Sequence, residues 1–145
     1  MKKVLALAIL LLSTVSVYGK EPREPYITDE PRIEITDEEV EMLAHLVKAE
    51  AGNQTFLGKQ LVVDVVLNRV DCDKFPDTIQ GVIHSPGQFA CRGYYMKKKP
   101  SAEDYDAVYA ELEERQNEEV IYFRTKRYGD GTPLFKEDAH YFSGL

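Results

Sequence analysis

Residues 36–70, TDEEVEMLAHLVKAEAGNQTFLGKQLVVDVVLNRV, decide the fold because they encode two consecutive helices. Thr36 and Glu39 have the spacing of a capping box, in which each side chain bonds a free backbone N–H at a helix start. An apolar stripe at helical spacing follows, formed by Val40, Leu43, Ala44 and Val47. Gly52 is a typical helix terminator, so the first helix is predicted to end there.

The second predicted helix covers residues 55–70, and its interior is apolar on almost every side. Periodicity alone does not separate a buried helix from a strand here, and the valines of residues 61–67 favour a strand. The apolar character extends from Leu57 to Val70, which is too long for a typical strand. We therefore favour the helix.

Three polar side chains of these helices are candidate functional groups. Glu50 falls on the edge of the first apolar stripe, where a carboxylate is unusual. A partly shielded carboxyl there suits a general acid, whereas a frayed helix end would simply leave it facing water. Asp64 and Asn68 are polar partners four residues apart in the second helix, expected either to line a cleft or to bond neighbouring backbone.

The N-terminus has the three-part pattern of an export signal. Lys2 and Lys3 precede an apolar run at residues 4–17, and small residues suitable for cleavage end at Gly19. We expect residues 1–19 to be a signal peptide, with an uncleaved membrane anchor as the alternative. The apolar run is short for a bilayer, so no stable membrane insertion is expected after cleavage.

Residues 20–35 contain three prolines among charged residues, so neither a helix nor a central strand can persist through them. We predict a Pro-rich acidic linker, the alternative being an arm packed on the domain. Residues 36–145 would then form the folded domain, and the signal peptide places it outside the cytoplasm, in the cell envelope or secreted.

Composition limits the possible functions. The chain has 145 residues, 43% hydrophobic and 30% charged, which excludes a disordered polar chain and a polytopic membrane protein. Its length fits one domain. The net charge of −7 argues against a nucleic-acid partner, because such binding depends on Lys and Arg that neutralise phosphates.

The remaining segments predict two helices and two strands. The helices would cover residues 77–83 and 102–118, the latter with an apolar stripe that faces the core. Residues 120–124 and 139–143 are strand-like and are joined across the Gly-rich residues 129–131. The prediction is an α+β domain, mainly helical, with a small two-stranded antiparallel sheet.

Four side chains of these segments are candidates for a ligand groove. Gln88 could hydrogen-bond a polar ligand group, and Phe89 could either stack on a ligand ring or anchor the core. Tyr122 and His140 lie on the two predicted strands and are possible groove residues. A lone histidine is more often structural, so that alternative stays open for His140.

The chain has two cysteines, Cys72 and Cys91. In an exported protein a single pair most simply forms a disulfide, which is our prediction. A zinc site that adds His84 is the alternative, but these residues lack the close-pair spacing of zinc ligands. We predict no metal and no cofactor.

Several segments, in this order, resemble the SleB/CwlJ-type cell-wall hydrolases. They are AEAG at residues 49–52, Gly58, VVLNRV at 65–70, FPDTIQGVI at 75–83, SPGQF at 85–89, IYF at 121–123 and HYF at 140–142. The resemblance implies a lysozyme-like domain that cleaves peptidoglycan glycan strands, including those of spore cortex. It also implies that Glu50 is the catalytic acid.

The resemblance further implies a lytic transglycosylase, in which one carboxyl serves as acid and base at the bond between N-acetylmuramic acid and N-acetylglucosamine. A muramidase that uses water needs a second carboxylate, for which Asp64 is a candidate. Relatives often carry a second Glu where this chain has Gln54, and a Trp where this chain has none. These departures keep a third hypothesis open, a non-catalytic glycan-binding wall protein.

Overall fold

The computed structural model describes residues 35–145. The predicted signal peptide, residues 1–19, lies outside the described residues, as does all of the predicted linker except Ile35. Every helix within residues 35–145 is too short or too polar to cross a membrane. The described part of the chain has four α-helices, α1 (Asp37–Ala51), α2 (Phe56–Val70), α3 (Ile79–His84) and α4 (Ala102–Glu113), and a 3-10 turn at Tyr95–Lys97.

The start of α1 confirms the predicted capping box. The Glu39 backbone N–H donates to Thr36 Oγ1 at 3.2 Å, and the Thr36 N–H donates to the Glu39 carboxylate at 2.9 Å. The predicted apolar stripe is buried along its whole length. The start of α1 is therefore fixed by local sequence, and the helix ends at Ala51, which places Glu50 in its last turn.

The second segment is a helix, as preferred, and α2 is buried on nearly all sides. Three of its buried side chains are ionisable, Lys59, Asp64 and Arg69, and Lys59 has only 2% of its surface exposed. Its Nζ bonds the Glu103 carboxylate and lies 2.9 Å from Asp104 Oδ1, in the first turn of α4. Burial lowers the pKa of Lys59, but these two carboxylates more than reverse that effect and raise it.

The predicted end of α4 was wrong. The helix stops at Glu113, although helical sequence was predicted to continue to residue 118. The reason is competition for the backbone amides, because buried carboxylates accept them instead. Gln116 N–H donates to Glu111 Oε2 and Asn117 N–H donates to Asp64 Oδ2, both at 2.9 Å.

The sheet has three antiparallel strands, one more than predicted, in the order β1-β3-β2. They are β1 (Tyr122–Thr125), β2 (Thr132–Glu137) and β3 (His140–Gly144). The sequence analysis missed β2 because Pro133 and the two charged residues Lys136 and Glu137 are atypical of a strand. At the edge of a sheet Pro is tolerated, and a register irregularity lies next to it, between Pro133 and Phe135. The α+β architecture, mainly helical with a small antiparallel sheet, is otherwise confirmed.

A small apolar cluster joins the sheet to α2. Leu61 and Val65 of the helix pack with Val120 and Phe142, and Phe123 connects this cluster to the main core between α1, α2 and α3. The sheet is thus fixed against the helices by its middle strand. This contact holds the first residues of β1 and β3 near the end of α1.

The buried ion pairs of Lys59 give a stability prediction. Lys59→Ala would remove the nearer cation of Asp104, which has no exposed surface, and leave it only Lys48 at 4.0 Å among the described residues. We expect the free energy of unfolding, measured by urea denaturation, to fall by about 3 kcal/mol or more. The exposed Lys97→Ala is the matched control and should change it by less than about 0.5 kcal/mol. A similar small change in both variants would contradict the structural role of Lys59.

Candidate active site

A cleft of about 440 Å³ opens between the last turn of α1, the loop after α3 and the sheet. Four of the predicted site residues line it together: Glu50, Gln88, Tyr122 and His140. They come from four separate segments of the chain. The fold therefore brings together polar groups that local sequence alone does not connect.

Glu50 is half-buried, and its carboxylate meets two other groups. Burial, followed by a hydrogen bond with that carboxylate, raises the pKa of the Cys91 thiol. The negative charge of Glu50 also acts on the ring of His140 and tends to raise its pKa. Among residues 35–145 no Lys or Arg forms an ion pair with Glu50. The carboxyl therefore faces the cleft without a cation bound to it.

His140 is a buried ring at the start of β3, with 2% of its surface exposed. It packs on Phe123 with ring centroids 4.8 Å apart. Burial lowers its pKa below the ordinary value, while the charges of Glu50 and Asp138 oppose that effect. The imidazole is thus neutral at neutral pH, and its buried Nδ1 has no hydrogen-bond partner among the described groups.

Arg69 is a cleft residue that the sequence analysis did not single out as part of the site. It is 3% exposed, and its Nε donates to the Ile121 carbonyl at 2.8 Å. Its guanidinium lies over the rings of Phe89, Phe75 and Tyr122 at 5.1, 5.3 and 5.5 Å. Burial lowers the pKa of Arg69 to about 10, so it is still charged at neutral pH. The sequence signal for Arg69 was its position at the end of a mostly apolar helix, because arginine is rarely buried without a partner.

Two predicted site residues lie elsewhere. Asn68 donates to the carbonyls of Asn117 and Val120 at 2.8 and 2.9 Å, so it bonds backbone rather than lining the cleft. Phe89 is 3% exposed and packs on Phe123 in the core. In both cases the structure matches the alternative that the sequence left open, a structural role.

A family model described as cell wall hydrolase matches residues 53–141 of the chain. The chain belongs to the cell wall hydrolase family. The matched region begins after Glu50, so it does not bear on the role of that residue.

Curated relatives align with a short part of the chain. The spore cortex-lytic enzyme of Halalkalibacterium halodurans is 35% identical over 54 residues, which is 37% of this chain and 16% of that protein. The spore cortex-lytic enzyme of Bacillus cereus is 37% identical over 51 residues, 35% of this chain and 20% of that protein. The aligned part thus spans a fifth or less of these relatives.

Two solved structures share the fold. The catalytic domain of Bacillus cereus SleB matches with a TM-score of 0.67 at 22% identity, covering 74% of this chain and 91% of that one. The catalytic domain of the germination-specific lytic transglycosylase SleB from Bacillus anthracis matches with a TM-score of 0.68 at 22% identity, covering 77% and 98%. The family resemblance and the predicted fold class are confirmed.

Asp64 of this cell wall hydrolase lies outside the cleft. It is fully buried between α2 and α4, where burial and the adjacent Glu111 raise its pKa to about 8. Asp64 Oδ1 and Glu111 Oε1 have no hydrogen-bond partner among the described groups, and two adjacent carboxyls in a buried site favour a protonated Asp64. Asp64 thus holds the segment after α4 and is not placed to assist Glu50.

Gln54, which stands where relatives often have a second Glu, has a structural contact. Its Oε1 accepts a hydrogen bond from the Ala139 N–H at 3.0 Å, and the neighbouring Thr55 Oγ1 donates to Glu137 at 2.7 Å. These bonds tie the loop between α1 and α2 to the turn between β2 and β3. The amide therefore supports the position of His140, the next residue after that turn.

The predicted disulfide is absent, because Cys72 and Cys91 are both free. Cys91 is buried against Glu50, while Cys72 lies half-buried at the end of α2. The sequence could not show that the Cys91 thiol is buried near the Glu50 carboxylate. The zinc alternative also lacks support, since within residues 35–145 no three His, Cys, Asp or Glu side chains cluster as a metal ion would need.

The free thiols can be tested by alkylation. We expect native protein to react with iodoacetamide at the half-buried Cys72, and at the buried Cys91 only after unfolding. The intact mass should be the same before and after treatment with a reductant. A mass that rises by the two thiol hydrogens on reduction would instead establish the disulfide.

The Asp64 carboxyl gives a pH prediction. It stays protonated in the folded protein up to about pH 8 but ionises near its ordinary pKa of 3.8 when unfolded, so the folded state binds more protons in between. The free energy of unfolding should therefore fall as pH rises from about 4 to about 8, by about 1.4 kcal/mol per pH unit for a full proton. Asp64→Asn should flatten this slope in urea titrations. The exposed Asp77→Asn should keep it, and an unchanged slope in Asp64→Asn would refute the assignment.

Proposed function

We propose that this protein is a peptidoglycan-cleaving enzyme, a lytic transglycosylase in which Glu50 is the catalytic acid and base. The observation that carries the proposal is the position of Glu50, half-buried in the last turn of α1 and open to the cleft. Membership of the cell wall hydrolase family supports the substrate class. Its site of action would be outside the cytoplasm, where peptidoglycan lies.

A single carboxyl is enough for this reaction. Glu50 donates its proton to the glycosidic oxygen, the bond from that oxygen to C1 of the muramyl ring breaks, and positive charge develops on the ring. The 6-hydroxyl oxygen of the same ring then bonds to C1, and its proton returns to Glu50. The products are a 1,6-anhydromuramyl end and a free hydroxyl, and no water is consumed.

The other carboxylates support this mechanism over hydrolysis. A hydrolase needs a second carboxylate as base or nucleophile. Asp130 is the other carboxylate among the described residues that line the cleft, and it is exposed and ion-paired with Arg124 at 2.9 Å. Asp64, the earlier candidate, is bonded between α2 and α4. Neither is a free carboxylate beside Glu50.

Aromatic and neutral groups fit a glycan ligand. Tyr122 offers a ring, Gln88 an amide and His140 a neutral imidazole at one cleft, and sugar recognition commonly combines such apolar and polar groups. These three residues are the proposed substrate-binding side chains. Phe89 would support them from beneath as part of the core.

The test is digestion of purified peptidoglycan, with the released fragments analysed by mass spectrometry. We expect wild type to release fragments with 1,6-anhydromuramyl ends, and Glu50→Gln to lose at least about a hundredfold in rate, the effect typical of general acid–base groups. Asp130→Asn is the matched carboxyl variant and should still release anhydro ends. Circular dichroism checks that each variant is folded.

Each other outcome has a clear meaning. Reducing ends from wild type, lost in Asp130→Asn, would establish a hydrolase with two carboxylates. Equal release by wild type and Glu50→Gln would overturn the role of Glu50. Co-sedimentation with peptidoglycan without any release would favour the glycan-binding alternative.

A further inference from the structure

The guanidinium of Arg69 has most of its hydrogen-bonding capacity unused. Arginine carries five N–H donors, and within residues 35–145 only Nε of Arg69 has a protein acceptor, the Ile121 carbonyl. Nη1 is buried and without a partner. A buried polar group that lacks a partner costs free energy, so its persistence in a cleft points to an acceptor that arrives with a ligand.

The charge of Arg69 is also not neutralised. No carboxylate of the described residues forms an ion pair with it. The three aromatic rings around it hold the guanidinium plane through their faces, but rings do not accept its in-plane N–H bonds. This aromatic cage, formed by Phe75, Phe89 and Tyr122, therefore fixes the direction of the N–H donors of Arg69 and leaves its positive charge available.

The cleft as a whole is more cationic than the protein. Three arginines line it, Arg69, Arg124 and Arg127, against the carboxylates of Glu50 and Asp130. The chain as a whole carries −7. A positive cleft in an acidic protein favours an anionic ligand group, because opposite charges raise both association rate and selectivity.

We propose that Arg69 binds a carboxylate of the peptidoglycan strand, either the lactyl carboxylate of a muramyl residue without peptide or a carboxylate of the stem peptide. The proposal rests on the proposed function, because it takes the cleft as the peptidoglycan site. A planar carboxylate matches the paired N–H donors of a guanidinium. Arg69 would thus select muramyl-containing strands over neutral glycans such as chitin.

The experiment measures binding by isothermal titration calorimetry to full-length Glu50→Gln, which prevents turnover. Three oligosaccharides of equal length are compared: peptidoglycan strands with free lactyl carboxylates, strands that keep their stem peptides, and chito-oligosaccharides without a carboxylate. We expect at least one carboxylate-bearing strand to bind about tenfold tighter than the chito-oligosaccharide. Which strand binds tighter identifies the source of the carboxylate.

Variants then assign the preference to Arg69. Arg69→Gln, made in Glu50→Gln, should lose the tenfold difference, and Arg69→Lys should keep part of it because the charge remains. Arg92→Gln removes an exposed arginine outside the cleft and should keep all of it. If Arg69→Gln does not fold, the Arg69→Lys variant and the three-ligand comparison still decide.

Equal affinity for all three ligands, or a preference that survives Arg69→Gln, would overturn the proposal. Cleavage of peptidoglycan by wild type is assayed separately. If the Glu50→Gln protein, which keeps Arg69, shows no carboxylate selectivity while wild type cleaves peptidoglycan, the role of Arg69 alone is refuted. Absence of cleavage refutes the proposed function, whatever the binding preference.

Discussion

The site depends on two buried side chains at the end of α2 that bond to backbone carbonyls before β1. Asn68 donates to the carbonyls of Asn117 and Val120, and Arg69 Nε donates to that of Ile121. These bonds fix where the chain enters the sheet. Since β1 carries Tyr122 and pairs with β3, which carries His140, the wall of the cleft opposite Glu50 follows from them.

The same region shows why buried polar groups specify structure here more than they add stability. Apolar residues could fill the space between α2 and α4 at lower cost in desolvation. Asp64 and Glu111 instead accept the amides of Asn117 and Gln116, which ends α4 and turns the chain toward β1. A continued helix would carry those amides away from the carboxylates, leaving both acids buried without donors.

Elements set by local patterns could be predicted from the sequence, and elements set by distant contacts could not. The capping box of α1, the apolar stripe behind it and the buried helix α2 are determined by residues close together in sequence. The early end of α4 and the edge strand β2 are not, because they depend on acceptors and strand partners far away in sequence.

The residues of the candidate site divide in the same way. Glu50, Gln88, Tyr122 and His140 could be anticipated in the cleft, partly through family resemblance, whereas the backbone contacts of Asn68 and the free thiol of Cys91 depend on tertiary neighbours.

Glu50 and Arg69 share one cleft, and their separation into different environments is consistent with both proposed roles. An arginine in contact with a general acid would favour the ionised form of that acid, and the acid would neutralise the charge of the arginine. The aromatic cage prevents both effects, because it holds the guanidinium through Phe75, Phe89 and Tyr122 without supplying an anion. Glu50 remains beside the neutral groups His140 and Cys91, and the caged guanidinium of Arg69 keeps its charge for the proposed substrate carboxylate. Placing the two charges on separate helices, α1 and α2, would let one cleft carry out both proposed roles, protonation of a glycosidic oxygen at one point and binding of a carboxylate at another.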